Sequence, residues 1–164
     1  MINTVSSPPS LGRTYRALVV ESLGGFRPRA VNHFEDIMIV TVSIDVPTIE
    51  EGLEFFGATF GFIETSRPHP GFAILSADGT TIGLLAKPAG TSPARGSDDL
   101  RRYKRHWTPV HIDFRVKDFE ETLKKALAAG AKLEEEHRIS GYPPVAFCSD
   151  PFGHGFCIVG EEPL

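Results

Sequence analysis

One pattern occurs twice in this chain, about 70 residues apart, and a repeated folding unit obliges the chain to build two related halves. Val42 to Glu51 and Ile112 to Glu121 share an alternating apolar–polar run, a capping residue and an acidic first helical turn at an offset of 70 residues. Thr48 and Asp118 are the expected N-caps, with Glu51 and Glu121 three residues later at capping-box spacing. Behind them Ile49, Leu53, Phe56 and Phe119, Leu123, Ala126 repeat one i, i+4, i+7 apolar stripe. The end of the unit recurs as well. Asp78 to Leu84 lies over Phe152 to Ile158 at an offset of 74, so the second copy gains four residues in between. A duplicated unit of this kind builds a symmetric cup, and function rests on what lines it.

The periodicities predict a strand over 39–46, a helix over 48–58 and strands near 62–66, 72–76 and 81–86. Asp78-Gly79 signals a tight hairpin between the last two. The second copy predicts a strand over 109–116, a helix over 118–129 and strands near 132–138, 144–148 and 155–160, with Gly130 closing its helix. Each copy is a βαβββ unit. Module one is set at residues 38–87 and module two at 108–161, joined by a linker over 88–107 whose Pro, Gly, Ser and charge read as exposed. Residues 1–37 differ: Ser7-Pro-Pro-Ser10, Gly24-Gly25 and four arginines suggest a flexible extension. Tyr15 to Glu21 is a possible short strand, and Met38 an alternative start of translation. A presequence is the other reading, but no amphipathic helix emerges there.

Composition excludes several function classes. A net charge of −4 argues against a general affinity for nucleic acid, which needs a positive field. The basic cluster Arg101-Arg-Tyr-Lys-Arg-His106 is accordingly read as a solvated loop. No apolar run approaches the ~20 residues a bilayer needs, so no membrane partner is expected. The two cysteines, Cys148 and Cys157, form no disulfide framework, and a cytoplasmic protein is expected.

The paired βαβββ units, the strand Val110-His-Ile-Asp-Phe-Arg-Val-Lys-Asp118 and the closing Ser149-Asp-Pro-Phe-Gly-His-Gly-Phe156 resemble the vicinal-oxygen-chelate superfamily. That group includes glyoxalases, extradiol dioxygenases and bleomycin-resistance proteins. The resemblance covers about residues 38–161 and implies an α+β fold: two paired βαβββ modules forming a cup-shaped, half-barrel mixed sheet with helices outside. It also implies four metal-ligand positions, which fall here on Thr41, Gly83, His111 and Cys157. Only His111 is a typical ligand among them. The superfamily normally carries Glu at the two last-strand positions, where this chain has Gly83 and Cys157. A dioxygenase-type facial triad needs two His and a carboxylate. The expectation is therefore no metal cofactor, with a divalent metal at His111 as the alternative.

Strand parity selects the cup lining, because alternate residues face alternate sides. If His111 faces the cavity, so do Asp113 and Arg115, while Ile112, Phe114 and Val116 turn to the core. By the same parity Thr41, Ser43 and Asp45 face the cavity, and Val42, Ile44 and Val46 the core. On the last strands Gly83, Leu85, Gly155, Cys157 and Val159 turn inward, the glycines leaving room for a ligand. Charges this placed must be paired, wet or reserved for a ligand, so an internal Asp–Arg salt bridge competes with a binding role. Thr41, Ser43, Asp45, Gly83, His111, Asp113, Arg115 and Cys157 are the candidate ligand-binding residues. A Cys157–His111 nucleophile and base is conceivable, but a cysteine beside a core is most often a small hydrophobe. Cys148 reads as packing and His154 as solvent-exposed. His69 reads as bordering the cavity mouth, and Trp107 as either a linker anchor or a stacking platform. The expectation is a homodimeric protein binding a small organic molecule in a metal-free cavity, with a metal-dependent lyase, isomerase or dioxygenase using His111 as the alternative.

Overall fold

The repeated pattern folds twice. The computed structural model describes residues 40–106 and 108–164; the expectations for residues 1–37, Met38 and Trp107 lie outside them. The first copy runs β1 (Val42–Val46), α1 (Ile49–Phe60), β2 (Ile63–His69), β3 (Phe72–Ala77) and β4 (Thr80–Ala86). The second runs β5 (Ile112–Val116), α2 (Phe119–Ala128), β6 (Lys132–His137), β7 (Val145–Ser149) and β8 (Gly155–Gly160). Each copy forms an open four-stranded mixed sheet, ordered β1-β4-β3-β2 and β5-β8-β7-β6. The parallel pairs carry the duplication in their register. Val42 lies opposite Ile82 and Ile112 opposite Phe156, reproducing the offsets of 70 and 74. No described helix is long and apolar enough to cross a membrane.

Local chemistry explains where the elements start and stop. Thr48 Oγ1 accepts the Glu51 N–H at 3.2 Å and Asp118 Oδ1 the Glu121 N–H at 2.9 Å, satisfying helix-end donors that have no partner in the helix itself. Gly130, at φ +99°, ends α2 in a Schellman motif, with Ala131 N–H donating to Ala126 O and Gly130 N–H to Leu127 O. Asp78 and Gly79 both adopt positive φ, the backbone a two-residue hairpin demands. The second module replaces that turn with a five-residue connection, residues 150–154, whose Asp150 carboxylate accepts the N–H groups of Phe152 and His154. The duplication also reaches surface ion pairs that periodicity does not reveal. Arg67 on β2 bonds Glu50 and Glu64, and Arg138 just after β6 bonds Glu120 and Glu136.

The two halves share one core. Phe55 of α1 meets Phe152 and Phe156 of the second module edge-on at 6.2 and 6.0 Å, and Phe60 stacks on Phe114 at 4.0 Å. Edge-on and offset rings are the favoured aromatic arrangements. The α2 stripe is buried as expected, whereas in α1 Phe55 is buried and Leu53 only half-buried. Val42, expected in the core, is 43% exposed at the start of β1.

Most described residues of the linker are exposed, as expected, but it is also tied down. Its second half folds back onto both modules: Arg101 pairs with Asp45 at 2.7 Å, Tyr103 Oη donates to Lys87 O at 2.5 Å, and Arg105 pairs with Glu134. Within the basic cluster Arg102, Lys104 and Arg105 are exposed, as a solvated loop requires, whereas the Arg101 side chain is only 15% exposed. Composition does not reveal these pairs, because arginines in loops are equally suited to solvent and to bridging carboxylates on neighbouring strands.

Candidate functional site

Where β1 and β5 face each other without pairing, a cleft of about 330 Å³ opens between the modules. Its apolar wall is built from Phe56 of α1, Phe114 of β5 and Phe156 of β8. Its polar part comes from Ser43 and Asp45 of β1, from His111, and from His106 and His154. Strand alternation explains the two-sidedness. Along β5 exposure alternates, with Ile112, Phe114 and Val116 half-buried and Asp113 and Arg115 exposed. A free strand edge between the two sheets leaves both faces accessible at the same opening.

The proposed site residues divide into three groups. Ser43, Asp45 and His111 line the cleft. His111, Asp113 and Cys157 form a second cluster in module two, where Asp113 lies opposite Cys157 across the β5–β8 ladder; Asp113 and Cys157 are not among the residues lining the cleft. His111 Nε2 is 3.2 Å from Asp113 Oδ1, and the three side chains hold their ligand atoms within 4.8 Å of one another. The remaining three stand apart. Thr41 is exposed ahead of β1, and Arg115 is exposed and forms no ion pair among the described residues. The anticipated internal Asp–Arg bridge exists, but the linker's Arg101 makes it to Asp45.

Gly83 corrects an expectation. A side chain there would meet Ser43 Oγ at 2.8 Å and the Phe72 ring at 2.9 Å, so the protein itself fills the space above it. The space above Gly155 is taken likewise by the Arg105 guanidinium, 3.1 Å from where a Cβ would sit. Gly83 leaves no vacancy for a ligand, whereas Gly155 still borders the cleft beside that guanidinium. His154 is corrected too. It is half-buried, and its ring donates from Nε2 to the Asp45 carbonyl at 2.8 Å. His69 is exposed on the outer strand β2, outside the cleft lining, where its Nδ1 accepts the Gly71 N–H.

Electrostatics decide what Cys157 can do. The residue is 4% exposed, and burial, reinforced by the Asp113 carboxylate, pushes its thiol up to about 12. A thiol so held is protonated at neutral pH, which removes the nucleophile from a Cys–His arrangement. Cys148 is buried, with its thiol pushed up to about 11 by the same cause, in keeping with packing.

Residues 41–159 match the model of the glyoxalase-like domain. The chain belongs to that family. No curated protein matches it significantly. Among solved structures it resembles the genomically encoded fosfomycin resistance protein FosX from Listeria monocytogenes, with TM-score 0.58 and 16% identity over 77% of this chain and 94% of that one. A glyoxalase/bleomycin resistance protein/dioxygenase family enzyme from Burkholderia phytofirmans PsJN gives TM-score 0.57 and 22% identity over 73% and 95%. Lactoylglutathione lyase from Agrobacterium tumefaciens gives 0.51 and 12% over 76% and 93%. These likenesses establish the shared fold.

Glyoxalase-like proteins often use a metal, and the donors present test that expectation. Module one offers none at the anticipated positions, since Thr41 stands outside β1 and Gly83 has no side chain. Module two offers an imidazole, a carboxylate and a thiol. That set suits a borderline cation of the zinc type, held by three protein ligands with a position left open. Asp113 is the candidate donor that the family positions do not include. The signal was already in the sequence, because His111 and Asp113 are two apart on one strand and share a face.

Proposed function

We propose that this glyoxalase-like protein binds a small organic molecule in the cleft between β1 and β5, without a resident metal. The cleft itself carries the reading. Its volume of about 330 Å³ falls in the range of small-molecule sites, and it joins an aromatic wall to a few polar groups, the composition such sites share. Asp45 enters the site already neutralised by Arg101, so the polar end is dominated by hydrogen-bonding groups and not by a free charge. A homodimeric, cytoplasmic protein belongs to the same reading.

A second reading is favoured by one observation, the convergence of His111, Asp113 and Cys157. In it those three side chains hold a divalent cation and the protein is a metal-dependent lyase, isomerase or dioxygenase. The cation would supply Lewis-acid polarisation of a substrate oxygen. His111 would bind through Nε2, and Cys157 would have to surrender its proton, making affinity rise with pH.

Metal analysis of protein purified without chelator separates the two, with His111→Ala as control. One equivalent of Zn, Ni, Mn or Fe that is lost in the variant would establish the second reading. Metal-free protein in both, together with stabilisation by members of a metabolite panel, supports the first. Native protein that neither retains metal nor is stabilised by any small molecule would defeat both.

A further inference from the structure

Outside the His111 cluster, the cleft holds a pair of imidazoles. His106 ends the folded-back half of the linker and His154 ends the 150–154 connection, and their rings meet edge-on at 5.2 Å. Both are fixed by backbone. His106 N–H donates to Gly153 O at 3.3 Å, and its ring donates from Nδ1 to Lys104 O at 2.9 Å. His154 N–H donates to the Asp150 carboxylate at 2.8 Å, and its ring donates from Nε2 to Asp45 O at 2.8 Å. Gly153 makes the meeting possible. It adopts φ +92°, and any side chain there would fall 2.2 Å from the Lys104 backbone, so only glycine lets the linker approach this closely.

Those bonds dictate the chemistry left over. A carbonyl oxygen only accepts, so each ring nitrogen bonded to one carries the proton, and a neutral imidazole has just one to give. His106 Nε2 and His154 Nδ1 are therefore acceptors, and neither has a hydrogen-bond partner among the described residues. Of the nearby charges, the buried Asp150 carboxylate is the one that interacts with the His154 ring, and the others are spent on their own partners. Asp45 is paired with Arg101, Arg105 with Glu134, and the Asp150 carboxylate already accepts two backbone N–H groups.

We propose that His106 and His154 form a paired acceptor subsite that selects a single-ring ligand carrying a hydrogen-bond donor, a hydroxyl or an amine, over one carrying a carboxylate. The aromatic body rests on Phe56, Phe114 and Phe156, and the donor satisfies the unpartnered nitrogens. The inference rests on the cleft being a binding site. Selectivity follows because a carboxylate would set lone pairs against lone pairs and leave both nitrogens unpaired, a mismatch worth about tenfold or more in affinity.

The test uses the full chain, 15N-labelled at histidine, at about pH 8 where ordinary imidazoles are neutral. Three probes with one ring are titrated: benzyl alcohol, benzylamine and benzoate. Two-bond 1H–15N spectra are expected to show His106 protonated at Nδ1 and His154 at Nε2. The alcohol and amine are expected to shift the other nitrogen of each ring and to bind about tenfold tighter than benzoate. His106→Asn and His154→Gln keep a side-chain amide able to donate to the same carbonyls but lack the acceptor nitrogen. They are expected to melt with the parent protein and to lose most of the preference. Opposite tautomers, or a preference unchanged in both variants, would overturn the subsite. Equal binding of all three probes in the cleft would overturn it while leaving the cleft reading intact. No perturbation of any cleft residue by any probe would count against both.

Discussion

Replacing Gly83 by alanine tests whether the inner face of β4 is filled by protein or open to a ligand. The added methyl would lie 2.8 Å from Ser43 Oγ and 2.9 Å from Phe72 Cε2. The first conflict is cheap to relieve, because Ser43 is exposed and its hydroxyl can rotate away, leaving its Cβ at an ordinary 3.5 Å. The second is not, since Phe72 begins β3 in register with Leu85 and its ring must shift by several tenths of an ångström. Overpacking of this kind costs about 1–3 kcal/mol. Exchanging glycine for alanine within a strand returns about 0.5–1 kcal/mol through the unfolded chain. The net expectation is a loss of about 1 kcal/mol for Gly83→Ala, read from urea unfolding midpoints. In a Phe72→Ala background the obstruction is gone, and the same substitution should stabilise by about 0.5–1 kcal/mol. That reversal of sign is the diagnostic result. Stabilisation by Gly83→Ala in the otherwise unchanged protein would refute the packing argument and reopen the space to a ligand.

Thr48→Ala and Asp118→Ala should each cost about 1 kcal/mol, and their double variant about the sum, because the caps serve different helices; thermal or urea unfolding reads this directly. Arg101→Ala should lower stability by about 1–2 kcal/mol, between the limits for exposed and buried pairs, and should speed amide exchange across residues 101–106. If exchange there is unchanged, the pair does not hold the linker down. The thiols predict alkaline sensitivity. Burial raises Cys148 from 9.0 to about 11 and Cys157, with help from Asp113, from 9.0 to about 12, so the folded state holds these protons more tightly than the unfolded chain. Stability should be intact below about pH 9 and fall as pH climbs towards 11 and 12. Unfolding midpoints across that range should fall less in a Cys148→Ala, Cys157→Ala variant, and an equal fall would assign the loss to other groups.

Most of the fold is legible in the sequence, for a physical reason. Thr48 and Asp118, the Asp78-Gly79 turn and the Gly130 stop act over three or four residues, and the β1 and β5 alternation over five, so adjacent letters are enough to read them. The offsets of 70 and 74 then carried one copy's pairing onto the other. The site was less legible. Parity put His111 and Asp113 on one face, but their approach to Cys157 depends on which residue β8 sets opposite Asp113, and register is a property of the sheet. His106 and His154 read as solvated loop residues in the sequence, because nothing periodic marks a loop position that packs.

The sequence by itself determined the two βαβββ units, their caps and turns, and which strand faces are polar, because these depend on interactions between residues near one another in the chain. The tertiary structure alone decided that the linker returns to Asp45 and Glu134, that Phe72 and Arg105 fill the space above Gly83 and Gly155, and that two loop histidines meet in the cleft. Those outcomes join residues tens of positions apart, such as His154 and Asp45, and only the packing of the whole domain chooses among the partners that chemistry alone would allow.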